Sequence, residues 1–337
     1  MMYKFHDIRH VHLEISSLCN ASCPWCPRTF WGYPYNNGYP ETNLTLTQAK
    51  KIFVPDFLQQ LENININGNF GDLVMNPDSV DIVEYFLDIN SQIQIEISTN
   101  GGARDKNFWT RLAQTSSTVM FCLDGLEKTH HLYRQNTVWH TVIRNAQFFI
   151  NAGGRAIWKM IRFEHNQHQI EQCRDMSRDL GFANFLLVDE GRDTAPVFDN
   201  QGNLSHVLGK YDKETDFKTL FFQKKNNTIL LEDITKDKIP AKSVNCKVKK
   251  RRSIYISATG DVSPCCFTGL YPRTYGQGQY HQAANAQLIP LITKNNALDY
   301  PLQECIEWFR LIEDSWSHRD YQQGRLVICD DVCGVNR

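Results

Sequence analysis

The chain is 337 residues long, 42% hydrophobic and 12% aromatic, enough to bury one large core with a smaller unit beside it. Its 36 basic and 37 acidic residues leave a formal net charge of -1, so no global field draws it to nucleic acid or to an anionic membrane. The longest apolar runs fall far short of the roughly 20 residues a membrane helix needs, and the opening MMYKFHDIRHVHLEIS lacks an export-signal pattern, which places the protein in the cytoplasm.

Strand and helix patterns alternate through residues 1–190. Strands are expected at His10–Ser16, Asn63–Asn69, Gln92–Ser98, Thr118–Asp124, Ala156–Phe163 and Asn184–Asp189. Between the first two, Thr47–Val54 carries a helical pattern, and Pro55 ends it or opens a second short helix as its first residue. Helical stripes follow in Asp78–Asn90 (Ile82, Val83, Phe86, Leu87), Trp139–Ala152 (Val142, Ile143, Ala146, Phe149) and Gln167–Leu180 (Ile170, Cys173, Met176, Leu180). Repeated strand-then-helix units predict a parallel α/β fold, here a partial (β/α)6 barrel.

The first three strands alternate apolar and polar residues: Val11, Leu13 and Ile15 against His12, Glu14 and Ser16; Ile64 and Ile66 against Asn65 and Asn67; Ile93, Ile95 and Ile97 against Gln94, Glu96 and Ser98. A parallel sheet covered by helices on both faces reads instead as a continuous apolar run. The alternation predicts a barrel whose outer face packs on helices while its inner face lines a wet cavity. An antiparallel sheet with one solvated face is the alternative.

Residues 191–243 lose periodicity and become polar, as an irregular connection does. Residues 244–337 form a small C-terminal unit: a hairpin signal centred on Thr259–Gly260–Asp261, a helix over Leu302–Trp316, and a cysteine-bearing tail.

Eleven cysteines in a chain without an export signal point to metal binding or chemistry rather than disulfides. The run SLCNASCPWCPR places Cys19, Cys23 and Cys26 directly after the first strand. Three thiolates on one short loop can hold three irons of a cubane and leave the fourth open. A structural zinc site wants four protein ligands, and the loop supplies no fourth. Four-cysteine ferredoxin spacings do not fit either.

This Cys-x3-Cys-x2-Cys spacing after the first strand resembles the radical S-adenosylmethionine (SAM) superfamily, and the resemblance extends across residues 1–190. It implies a [4Fe–4S] cluster whose open iron chelates SAM, reductive cleavage of SAM to a 5′-deoxyadenosyl radical, and hydrogen abstraction from a substrate, with a flavodoxin- or ferredoxin-type electron donor. Trp25, inside the loop, is taken with the cofactor-facing residues. Gly68-Asn69-Phe70-Gly71-Asp72 stands where the family has a Gly-Gly-Glu-Pro-like element whose backbone meets the SAM amino group, although Asp72-Leu73 replaces Glu-Pro. Ser98-Thr99-Asn100-Gly101 looks like the family's Thr-Asn-Gly turn. Cys122-Leu123-Asp124-Gly125 looks like its Ser-x-Asp-Gly strand end, with Cys122 in the serine's place. The resemblance further implies that Arg134 grips the SAM carboxylate, a task suited to a guanidinium's paired donors, and that Asn166 meets the nucleoside. Singly, such glycine turns and arginines are common; their weight comes from their order at successive strand ends.

The spacing Cys246-x13-Gly260-x4-Cys265 resembles the opening of the auxiliary-cluster domains called SPASM, or twitch when shortened. With Cys329 and Cys333, the four thiols would complete one auxiliary [4Fe–4S] cluster. A structural zinc is the alternative. Cys305 and Cys173 lie on apolar helical stripes and read as core, while Cys266 would point away from Cys265 in an extended strand. The basic run Lys247–Arg252 either offsets an anionic cluster or meets an acidic partner. The aromatic run Phe30–Pro40 is expected to cover the first cluster.

Asp189 and Glu190, at the end of the sixth strand, are the candidate catalytic bases. The expected reaction is an oxidative modification of a small molecule or peptide, with epimerisation or crosslinking of a ribosomal peptide as the alternative; a Cys122 thiol facing the lumen would suit an epimerase. From another class, a non-catalytic metal-binding scaffold would use both cysteine groups structurally. The chain begins almost at its first strand, leaving no room ahead of it for a leader-peptide recognition domain.

Overall fold

The apolar halves of the alternating strands need helices to cover them, and the chain supplies those helices between strands. The structure, a computed structural model, describes residues 2–34, 39–189, 195–209, 231–270 and 286–335. Six parallel strands pair in chain order, His10–Leu13, Asn63–Ile66, Gln94–Thr99, Thr118–Cys122, Arg155–Ile161 and Asn184–Val188. Each starts within two residues of its expected position. The expected helices form at Leu46–Ile52, Ser79–Ile89, Trp139–Asn151 and Ile170–Asp179, and Pro55 does open a second short helix, Pro55–Gln60. Two further helices, Lys106–Ala113 and Glu127–Tyr133, were not legible: two turns or fewer give a periodicity too little length to show.

Val11, Leu13, Ile64, Ile66, Ile95 and Ile97 are all buried in the main core with Phe53, Phe57 and Phe86 from the helices. Each such side chain contributes about 1.5–3 kcal/mol by leaving water. Farther round, Trp109 lies against Phe121, and Phe121 against Phe149, at centroid distances of 5.1 and 6.0 Å. The opposite parity, His10, His12, Asn65, Asn67 and Glu96, lines a cavity of about 550 Å3. The strands bearing it are parallel, so the solvated antiparallel alternative falls.

The barrel is open, and the C-terminal hairpin extends it. Ser253–Ile256 pairs parallel with His10–Leu13, and Val262–Ser263 pairs antiparallel beyond it, giving one eight-stranded sheet. The hairpin turns at Gly260, whose φ of +85° is left-handed backbone that glycine adopts without strain. The C-terminal segment therefore extends the sheet beyond the first strand.

Two expectations change. The connection 191–243 contains an antiparallel hairpin, the buried strand Ala195–Phe198 with the more exposed Leu204–Leu208, and a short helix Leu231–Thr235. Four uniformly buried residues show no period, so this hairpin left no pattern to read. The helix expected over Leu302–Trp316 breaks into Leu302–Cys305 and Phe309–Ser315, while keeping its stripe buried: Cys305, Phe309 and Ile312 are at most 1% exposed. Among the described residues no helix is long and apolar enough to cross a membrane.

If the hairpin closes the sheet edge, a chain ended at Ser243 strips the first strand of one partner and uncovers Val11 and Leu13. Thermal unfolding followed by circular dichroism is expected to lose its cooperative transition in that truncated chain. A retained sharp transition would show that residues 1–243 fold alone.

Candidate functional site

The parallel sheet delivers the carboxyl ends of its strands to one rim, and the cysteine loop leaves the first of them. Cys19, Cys23 and Cys26 all line a second cavity, of about 300 Å3, on that rim. The loop is turned by its own backbone: Cys26 N donates to Cys23 O at 3.0 Å, and Thr29 N to Cys26 O at 3.0 Å. Ala21 N points at Cys19 Sγ, 3.4 Å away. Burial is the main reason all three thiols are held above the usual range, Cys26 at about 12. Thiols so placed ionise only when a metal offsets their charge. The loop offers three thiols, one fewer than the four protein ligands a structural zinc wants, and so matches three corners of a cubane. Trp25, 43% exposed, stands at the cavity mouth.

The loop after the second strand packs against the root of the cysteine loop. A Cβ on Gly68 would collide with Gly71 O, and one on Gly71 with Ser16 O, so both positions require glycine by close approach. Asp72 N donates to Leu18 O at 2.9 Å. The Asp72 carboxylate turns to the third strand end, accepting from Thr99 Oγ1 at 2.7 Å and Asn100 N at 2.6 Å. Asn100 Nδ2 in turn lies 3.0 Å from Asn20 Oδ1 and 3.5 Å from Cys19 Sγ. Asp72 thus ties strand ends together, and Ser98 and Asn100 line the cavity beside it.

Asp124 is fully buried at the fourth strand end and accepts from Arg134 Nε and from Ile161 N, both at 2.6 Å. Arg134 Nη1 lies 3.8 Å from Cys23 Sγ. The guanidinium therefore meets the cavity by its Nη end, since its Nε belongs to Asp124. Cys122 lines the same cavity.

Other expected residues stand elsewhere. Asn166 is fully buried and closes its own turn, donating through Nδ2 to Ile161 O at 2.9 Å and accepting from Phe163 N at 2.8 Å. Its amide is used locally and does not line the cavity. Asp189 stands apart from both cavities: its side chain is 60% exposed, paired with Arg162, and lines neither. The strand ends one residue before it, and it projects to solvent. Glu190 lies outside the described residues, as does part of the aromatic run Phe30–Pro40; in the described part Tyr39 stacks on Phe70 at 4.0 Å.

Two residues were missed. Lys159 lines the cavity next to its strand neighbour Cys122, and its parity opposite to buried Trp158 was the available signal. Glu14, 1% exposed, accepts from Phe70 N at 2.6 Å, Gly71 N at 2.7 Å and Tyr255 Oη at 2.6 Å. Its inward parity was legible; its partners were not.

Cys246, Cys265, Cys329 and Cys333 all line the 550 Å3 cavity. Cys329 and Cys333 are one turn apart on the helix Val327–Cys333. Cys246 and Cys333 share a hydrogen bond that pushes one thiol up and holds the other down, and the Lys247 charge also lowers Cys333. The basic run is a short helix, Lys247–Arg251, with Lys247 and Arg251 on the cavity wall. Cys266 lines the cavity too, because it opens the helix Cys266–Leu270 and strand alternation does not apply to it. Cys173 and Cys305 are fully buried in the core.

Burial raises the Glu14 carboxyl from an ordinary 4.5 to about 6. Between these values the folded chain keeps a proton that the unfolded chain has released, so Glu14 makes stability fall as pH rises from 4.5 to 6. Glu14→Gln removes that term, and stability relative to the native chain should improve by on the order of 2 kcal/mol between pH 4 and pH 7 in denaturant titrations. His130, lowered to about 4 by burial, acts with the opposite sign but cancels in the comparison. A pH-independent difference would refute the assignment.

No family model matches the chain, and no curated protein does. Solved structures do. Streptococcus suis SuiB bound to S-adenosylmethionine superposes with a TM-score of 0.55 at 14% identity, over 88% of this chain and 65% of SuiB. SuiB bound to its precursor peptide SuiA gives 0.54 at 16%, over 89% and 65%. The chain thus spans about two thirds of SuiB's length. His6-tagged anSMEcpe with bound AdoMet gives 0.51 at 15%, over 94% of this chain and 85% of that one. The chain therefore shares its fold with SuiB and anSMEcpe.

Proposed function

We propose that the chain is a cytoplasmic radical SAM enzyme that carries out an oxidative modification of a small molecule or peptide. The observation that carries this reading is the convergence on one cavity of the three thiols Cys19, Cys23 and Cys26, the glycine-cradled loop Gly68–Asp72, Asn100 and Arg134. Bound there, a [4Fe–4S] cluster and SAM supply reductive cleavage of the sulfonium and, from it, hydrogen abstraction from the substrate.

The chain's own residues do the rest. The backbone at Gly68–Asp72 lines the cavity beside the cysteine loop, where it would meet the amino group of SAM. Arg134, held by Asp124, presents its Nη end to a carboxylate. Asn100 Nδ2 and Arg134 Nη1 donate toward Cys19 Sγ and Cys23 Sγ, which would lower the charge burden on those buried thiolates when they hold the cluster. Cys122 and Lys159 face the same space, Lys159 as the group that moves or holds a proton or orients an anionic substrate. Asn67 lines both cavities, which places the one bearing Cys246, Cys265, Cys329 and Cys333 next to that of the cysteine loop. These four are proposed to hold one auxiliary [4Fe–4S] cluster that accepts an electron from the oxidised substrate. A flavodoxin- or ferredoxin-type protein would supply the first electron. That SuiB is solved with a precursor peptide supports a peptide substrate. Epimerisation or crosslinking is the second reading, favoured by the Cys122 thiol on the cavity wall.

Anaerobic reconstitution followed by dithionite and SAM should yield 5′-deoxyadenosine. Its absence would sink the enzymatic reading and leave a metal-binding scaffold. Cys23→Ala should abolish the product. Cys246→Ala or Cys333→Ala should lower iron from about eight to about four per chain, and zinc in place of iron at that site would refute the auxiliary cluster.

A further inference from the structure

Glu14 directly follows the first strand, His10–Leu13, and lines neither cavity. One of its oxygens, Oε1, accepts from two consecutive backbone amides, Phe70 and Gly71, inside the glycine loop. The other, Oε2, accepts from Tyr255 Oη on the strand that leads to Cys265 and Cys266. Tyr255 is itself 1% exposed, so this is a buried contact between distant parts of the sequence. A second bond runs in parallel: Asn69 Nδ2 donates to Cys266 O at 3.0 Å. The glycine loop therefore has two attachments to the C-terminal cysteine segment, one through a carboxylate and one direct.

Gly68 and Gly71 bring no side chain to the loop, and Phe70 packs it against Tyr39 at 4.0 Å. Consecutive amides aimed at one carboxylate oxygen set the orientation of its backbone, through charge-assisted hydrogen bonds. Because the same carboxylate is anchored by Tyr255, the loop's position depends on where the C-terminal strand sits.

We propose that Glu14 is a positioning residue that sets the Gly68–Asp72 backbone and, through Tyr255, couples the cofactor-facing loop to the C-terminal cysteine segment. The proposal rests on the reading of that loop as facing SAM. By linkage, whatever orders one segment then favours the ordered form of the other.

The test uses the full chain, reconstituted anaerobically, with two readouts. Amide hydrogen exchange at Phe70 and Gly71 measures the loop without any ligand, and equilibrium dialysis measures SAM affinity. Glu14→Ala is expected to speed exchange at both amides by about tenfold and to weaken SAM binding by a similar factor. Glu14→Gln keeps a carbonyl oxygen for the two amides and an N–H₂ for the Tyr255 oxygen, and should stay within about threefold of the native chain on both measures. Tyr255→Phe should speed exchange by about threefold or more, which a role confined to local packing of Tyr255 would not do. Unchanged exchange at Phe70 and Gly71 in Tyr255→Phe overturns the coupling; unchanged exchange in Glu14→Ala, or a Glu14→Gln no better than Glu14→Ala, overturns the positioning. Should Glu14→Ala fail to fold, Glu14→Gln and Tyr255→Phe still decide between these outcomes. If the native chain binds no SAM while exchange follows the variants as described, the functional reading falls and the positioning stands.

Discussion

Gly71 approaches the chain at Ser16 and Leu18 so closely that no Cβ fits, and the neighbouring Asp72 amide closes the contact on Leu18 O. Everything at the rim follows from that approach. It binds the loop after the second strand to the root of the loop after the first. Asp72 then carries the connection to Thr99 and Asn100, and Asn100 returns it to Asn20 and Cys19. Loops on a barrel rim are ordinarily the least constrained part of the fold. Here three successive ones form a single hydrogen-bonded unit, with the sheet beneath fixing only where each begins.

The acidic residues of this rim work inward. Glu14, Asp72 and Asp124 are at most 7% exposed, and each is surrounded by donors: the Phe70 and Gly71 amides, the Asn100 amide, the Ile161 amide and Arg134. A buried carboxylate persists only with such partners, and once satisfied it rigidifies the groups around it. The functional groups left to face the cavity are thiols, amides and the cations Arg134 and Lys159. The two cations offset thiolate charge and offer a partner to a carboxylate.

The two cavities share Asn67. The strands present His10, His12, Asn65, Asn67 and Glu96 to the larger one, whose far wall carries Ile312, Trp316 and Ile328, whereas Ile64, Ile66, Ile95 and Ile97 point outward into the core. The same alternation thus produces both the stability of the barrel and its hollow interior. Folding energy comes from one face of each strand and chemistry from the other.

The sequence by itself determined the six parallel strands, their inward and outward faces, and the three-thiol loop after the first strand, because period and spacing are local properties. It determined Cys173 and Cys305 as core for the same reason. Tertiary structure alone decided what Glu14, Asp72 and Asn166 do, since an acidic or amide side chain reads the same whether it meets a ligand or a backbone amide. It also decided that Asp189 faces solvent while Lys159 faces the cavity, a matter of where a strand ends and which neighbour covers it. The joining of the C-terminal hairpin to the first strand spans some 240 residues of chain. No local pattern encodes such a pairing; it forms because the first strand would otherwise leave an open row of backbone donors and acceptors.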